Sequence, residues 1–185
     1  MKRVVSFCAI IISFTAFTQT TIIKNIGDYS ILKVYNGIDV ELIKSEEQKL
    51  EISGEKAEMV KIKSVNNTLK LSLPFSLKPE NNLADGKVLI KLYYNNKIDI
   101  IDANEGSTIT GKDFNQSKLQ VNSQERAFIN LTSQVSYLKV RISSGGIIKL
   151  TGTAKNQEVN IDLYGVYNGF AMEIAGNSDV FAGTG

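Results

Sequence analysis

The sequence predicts an all-β protein: a parallel β-helix-like solenoid with longer strands in its N-terminal part and no substantial helix after a signal peptide. Three observations predict it. Apolar and polar residues alternate at period two through most of the chain, as half-buried strands require. From residue 98 onward the alternating segments recur about every 20 residues. Only two prolines occur, Pro74 and Pro79, and both fall in one gap between strand segments.

The elements follow in order. Lys2 and Arg3 precede an uncharged, mostly apolar run, Val4 to Phe17, and the small residues Ala16 and Thr18 stand where a signal peptidase reads. Residues 1–18 are read as a signal peptide cleaved after Thr18, 19–28 as a linker and 29–185 as a single domain. The run is too short to span a bilayer comfortably, and Cys8 lies inside it, too early for lipidation. The leader implies export, to the periplasm, the outer surface or the medium of a bacterial cell, with no membrane span in the mature chain.

Strand segments then appear at Leu32/Val34, Ile38/Val40/Leu42, Leu50/Ile52, Val60/Ile62, Leu69/Leu71/Leu73 and Val88/Ile90/Leu92. Their charged turns resemble those of meanders or hairpins. Glu55 to Val60 is the best helix candidate and is too short to stand as one. Residues 74–86 read as a long loop. Beyond it, Ile98/Ile100, Leu119/Val121, Leu138/Val140/Ile142 and Val159/Ile161/Leu163 begin 21, 19 and 21 residues apart. A second series, Ile109, Ile129/Leu131, Ile148/Leu150 and Met172/Ile174, lies between them. Two short strands per repeat suit a solenoid whose coils stack about 4.8 Å apart. The alternative is a sandwich of short strands. The sequence stops at Phe181-Ala-Gly-Thr-Gly185, where another strand would begin. Either further repeats are lacking, or the last coil docks against a partner, a second copy included, through its C-terminal edge.

Composition excludes much chemistry. Of 21 basic residues, Lys2 and Arg3 belong to the leader, leaving 19 against 19 acidic ones and no net charge. No basic stripe is present, so nucleic acid is not an expected partner. The mature chain lacks Cys, His and Trp. A Ser-His-Asp triad, a Cys-His dyad and the usual zinc sites are therefore absent, and no nucleotide-binding glycine motif occurs. No cofactor is expected. A carboxylate pair remains open, from Asp99, Asp102, Glu105, Asp113, Glu125, Asp162, Glu173 and Asp179, although most of these alternate with apolar residues or sit in turns. Asp102, Asn104 and Asp113 have part of the spacing of a calcium loop, but Ser107 stands where the glycine belongs. Tyr164, Tyr167 and Phe170 surround a glycine-containing turn. Exposed, they would stack on a glycan or anchor a protein ligand; otherwise they pack over the end of the coil. In Tyr93-Tyr94, one ring is expected to face in and the other out.

Tyr35-Asn-Gly-Ile-Asp-Val-Glu-Leu42, followed by Lys49-Leu-Glu-Ile-Ser-Gly54, resembles the opening of the head GIN domain family. Val60 to Leu71, Ser143 to Gly152 and Val159 to Gly165 resemble its later units, and the likeness runs from about residue 29 to 183. Asp39 replaces the Asn of the GIN motif, and Asn122-Ser-Gln-Glu-Arg126 lacks the usual Ser-Gly turn. The resemblance implies a β-solenoid and an adhesin-type, non-enzymatic role at the cell surface, and it brings no catalytic residues. Two other roles stay open: an envelope scaffold assembling through its open end, and a carbohydrate-active β-helix enzyme.

Overall fold

The computed structural model describes residues 21–76, 83–84 and 88–183, so the segment 1–18 that the sequence reads as a signal peptide lies outside the described residues. Among the described residues, thirteen strands form one continuous sheet. They are β1 (Ile22–Asn25), β2 (Ile31–Val34), β3 (Asp39–Lys44), β4 (Lys49–Ser53), β5 (Lys61–Val65), β6 (Thr68–Ser72), β7 (Leu89–Tyr94), β8 (Ile100–Ala103), β9 (Thr108–Ser123), β10 (Phe128–Ile142), β11 (Ile147–Ile161), β12 (Val166–Ile174) and β13 (Ser178–Ala182).

The sheet is wound into a two-faced solenoid. One face stacks β6, β2, β8, the C-terminal halves of β9, β10 and β11, and β13, all parallel. The other stacks β7, β3, the N-terminal halves of β9, β10 and β11, and β12, again all parallel. Period-two alternation sends every second side chain inward, so identical positions of successive coils form apolar columns. Leu69, Leu32, Ile101, Val121, Val140 and Val159 make one, and Ile52, Ile90, Val40, Ile109, Ile129 and Ile148 another; all are buried. No coil buries its own inward face; the core exists only because the coils stack.

Several expectations are corrected. The N-terminal strands are the shorter ones: β1 to β8 have 4–6 residues, whereas β9, β10 and β11 have 15–16. The later coils keep their ladder while rounding the far corner, so one strand serves both faces. Ile101, not Ile100, faces inward. The second apolar series ends on Tyr167, the partner of Ile148, and not on Met172 or Ile174, which partner Gly152 and Ala154. Leu163 lies in a turn and is exposed. β3 and β4 follow one another in sequence but do not pair; β7 lies between them. The coil made by β6 and β7 thus stacks outside the coil made by β2 and β3, although it comes later in the chain. Beyond it, β4 and β1 continue one face and β5 the other, with antiparallel pairing. Glu55 to Val60 contains a single 3₁₀ turn, Ala57–Met59.

Five coils turn their near corner through a four-residue turn closed by an i to i+3 hydrogen bond. The central pairs are Asn36-Gly37, Glu105-Gly106, Glu125-Arg126, Ser144-Gly145 and Leu163-Tyr164, all with positive φ. Two consecutive left-handed residues define the type I′ geometry. Backbone bonds continue through the corner: Gly37 N donates to Glu105 O (2.8 Å), Gly106 N to Glu125 O (2.9 Å), Arg126 N to Ser144 O (3.1 Å) and Gly145 N to Leu163 O (2.9 Å). The turns therefore form a ladder of their own.

At the far corner the buried Phe114 ring stacks on Tyr94, with centroids 5.6 Å apart. Gly111 makes room for it, since a Cβ there would lie 3.0 Å from Phe114 Cε2 and 3.0 Å from Leu42 Cβ. Tyr94 faces in as expected, and its neighbour Tyr93 faces out, donating to Glu51 Oε2 at 3.1 Å beneath Lys49.

Candidate functional site

Tyr164, Tyr167 and Phe170 all lie on the last coil, but the structure gives them different surroundings. Tyr164 is the final rung of the turn ladder, held at φ 63° and 77% exposed. Phe170 falls in a β-bulge, where Gly169 and Phe170 together stand opposite Leu150, and it is 99% exposed. A bulge re-aims one side chain out of the alternation. Tyr167 turns the other way. It sits on the Ile148 column, half-buried, and its hydroxyl donates to Gln157 Oε1 at 3.3 Å. Burial pushes its phenol up to about 12. Its ring lies against Gly169, where a Cβ would meet it at 2.8 Å. Tyr167 thus covers part of the core's open end, while Tyr164 and Phe170 project into solvent. Leu163, Val166, Val180 and Phe181 are further exposed apolar residues of the last coil.

A groove of about 1070 Å³ runs along the ladder's other rungs. Its floor is Asn36-Gly37, Glu105-Gly106 and Glu125-Arg126; its walls include Tyr35, Asp39, Lys70, Leu73, Phe75 and Leu83. Asn36 organises it. Its Nδ2 donates to Glu105 Oε2 (2.6 Å), its Oδ1 accepts from Leu73 N (2.9 Å), and its backbone oxygen accepts from Ala84 N (2.6 Å). The described ends of the long loop are thereby moored to the first turn. Lys70 Nζ lies 4.1 Å from the centre of the Tyr35 ring. Burial pushes the Tyr35 phenol above its ordinary value, with Lys33 opposing. Sequence reasoning singled out neither Phe75 nor Leu83. The signal available was the length of the loop that carries them, because long loops in compact domains are commonly functional.

Asp102 and Asn104 come together, but Asp113 does not join them. Asn104 Nδ2 donates to Asp102 Oδ1 (3.2 Å) and Val34 O (3.4 Å), Ser107 Oγ donates to Val34 O (3.1 Å), and Gln124 donates to the Asn104 carbonyl. Lys33 Nζ lies 3.2 Å from Asp102 Oδ2. Asp113 is at the far corner, near Lys44 and Thr132. Ser107 is buried and closes the network in the position where a calcium loop would carry glycine. The carboxylates are likewise dispersed. Asp102 and Asp162 line a second groove of about 500 Å³ with Asn122 and Arg141, while Glu105 and Glu125 line the first. Among the described residues no group of three or more acidic side chains is placed to hold a metal ion, and no helix is long and apolar enough to cross a membrane.

The model of the family described as "Putative auto-transporter adhesin, head GIN domain" matches residues 28–185. Among solved structures, a putative adhesin from Bacteroides fragilis NCTC 9343 superposes with a TM-score of 0.76 at 16% identity, covering 90% of this chain and 79% of that one. One from Parabacteroides merdae ATCC 43184 gives 0.65 at 16% identity, covering 90% and 78%. A protein from Parabacteroides distasonis ATCC 8503, described as a putative lipid binding protein, gives 0.63 at 16% identity, covering 89% and 79%. At such identity these likenesses establish the fold alone. No match was found among curated proteins.

Proposed function

The chain belongs to the head GIN domain family, and from that premise we propose that it is an exported, non-enzymatic, adhesin-like binding module of the bacterial cell surface. The observation that carries this reading is Tyr164. A bulky residue in the left-handed region costs about 1–2 kcal/mol, yet Tyr164 occupies it at φ 63° and gains little burial in return. The type I′ turn sets that φ; what the turn does not account for is an aromatic ring at its tip that is 77% exposed. Phe170, re-aimed by its bulge, adds a second aromatic ring to the same coil. Such rings stack on sugars or anchor a protein surface. The family description and the leader support the location. The test is a glycan-array and extracellular-matrix screen of the chain from Gln19, with sugar-chain cleavage assayed on the same panel. Saturable binding that weakens in Tyr164→Ala and Phe170→Ala, without turnover, is the expected result. Turnover would overturn the reading and direct attention to Glu105 and Glu125.

Val180 favours a second role, assembly of an envelope scaffold through the open end. It occupies a core position of the last coil and is exposed. Sedimentation of the same chain is expected to show concentration-dependent oligomers that Val180→Lys and Phe181→Lys abolish. A monomer at every concentration would remove this role.

A further inference from the structure

The groove along the first rungs of the turn ladder carries chemistry that the exposed aromatics of the last coil do not use. Its volume, about 1070 Å³, is at the upper end of the range of small-molecule sites. Its floor is rigid, because each rung is hydrogen-bonded through the backbone to the next. The backbone positions of the floor are therefore held at the ladder interval of about 4.8 Å before any ligand arrives, which limits the backbone ordering that binding would require.

The polar groups at the floor differ in their commitments. Asn36 engages Glu105. The Glu125 carboxylate and the Arg126 guanidinium have no hydrogen-bond partner among the described residues. Toward the Asn36 end of the same groove, Phe75 is a lining residue and is 83% exposed. The groove thus offers an unpaired acceptor, an unpaired donor and an apolar ring within one concave surface.

Charge narrows the ligand. Asp39, Glu105 and Glu125 oppose an anion, while Lys70 and Arg126 oppose a cation. A wholly apolar ligand would strip water from Glu125 and Arg126 without replacing their hydrogen bonds, which is unfavourable. What remains is an uncharged molecule with an apolar face and many hydroxyls. We propose that this groove is a neutral-oligosaccharide subsite, in which Phe75 stacks on one pyranose face while Glu125 accepts from, and Arg126 donates to, the hydroxyls of a neighbouring sugar. The proposal rests on the reading of the chain as a binding module and gives that module a ligand class. Tyr164 lies two rungs beyond Arg126, about 10 Å at the ladder spacing, so a chain of several sugars would reach from the groove toward it.

The experiment titrates the chain from Gln19 with neutral oligosaccharides (glucan, mannan, xylan and galactan fragments), with uronic-acid and amino-sugar oligomers, and with matrix proteins. Variants are Phe75→Ala, Glu125→Gln, Phe170→Ala and, as a remote surface control, Val65→Ala; thermal unfolding confirms that each folds. The expected result is saturable binding of at least one neutral oligosaccharide. Phe75→Ala should weaken it by roughly ten-fold, as loss of one stacking ring does, and Glu125→Gln by several-fold, with Val65→Ala unchanged. Neutral-sugar binding that Phe170→Ala abolishes and Phe75→Ala leaves intact would overturn the groove assignment and leave the adhesin reading standing. Binding only to charged sugars or only to proteins would do the same. No binding to any of the panel would overturn both.

Discussion

Val180 is the register partner of Val159, one coil further along, yet Val159 is fully buried and Val180 is 57% exposed. The two have the same side chain in the same column; only the presence of a covering coil differs. The core is a property of the stack, so the energetic weight of a column position depends on its neighbours above and below. Ile101→Ala, in the middle of that column, is expected to cost about 2–5 kcal/mol through cavity formation. Val180→Ala is expected to cost less than about 0.5 kcal/mol in the isolated monomer, as surface changes do. Urea unfolding of the two variants checks this, and equal losses would refute the dependence of a column position on a covering coil.

Glycines with positive φ separate backbone strain from steric room. Gly106 has φ 71° and open space where a Cβ would point. Gly106→Ala should therefore lose about 1–2 kcal/mol from conformation alone. Gly152 has φ 116° and the Ser133 carbonyl in the place of a Cβ; Gly152→Ala should cost distinctly more, since the backbone must shift. Arg126 has φ 62° without being glycine, so Arg126→Gly should raise stability by about 0.5–1 kcal/mol once the greater entropy of the unfolded glycine is set against relief of strain. Melting temperatures of the three variants give the ordering.

Asn36 joins the first turn to Glu105 and to the start of the long loop. Asn36→Gly keeps a residue suited to φ 61° and removes only the side-chain bonds. It should cost about 1–2 kcal/mol, and the Leu73 amide should exchange with solvent markedly faster. Unchanged exchange at Leu73 would show that the loop is held in another way.

Glu158 gives a pH signature. Lys139 Nζ lies 2.8 Å from it, and Tyr137 and Asn160 donate to it at 2.8 and 2.9 Å. Together they hold its carboxyl down at about 2, against an ordinary value of 4.5. A group whose folded value is depressed contributes stability above its unfolded value and loses it as pH falls toward the folded one. Stability should therefore fall between about pH 4.5 and about pH 2, and Glu158→Gln should flatten that part of the profile. Denaturant midpoints measured across this window provide the check.

Much of this was legible because alternation and repeat length are local facts. The sequence by itself determined the all-β solenoid, the spacing near 20 residues that sets the coils from residue 98 onward, and the inward identity of Ile38, Val40 and Leu42, since a period-two pattern fixes which face is buried. It also placed one ring of Tyr93-Tyr94 inside. Only the tertiary structure decided that β7 lies between β3 and β4, because pairing between distant strands leaves no mark on either strand's own pattern. It alone separated Tyr167, folded over the core's end, from Tyr164 and Phe170, since a bulge and a left-handed turn break the alternation that sequence reading relies on. It alone assembled the groove, whose Asn36, Phe75, Glu105 and Glu125 are scattered along the chain. They meet because stacking places the corners of successive coils side by side, and Leu73 and Ala84 are both bonded to the first corner through one asparagine.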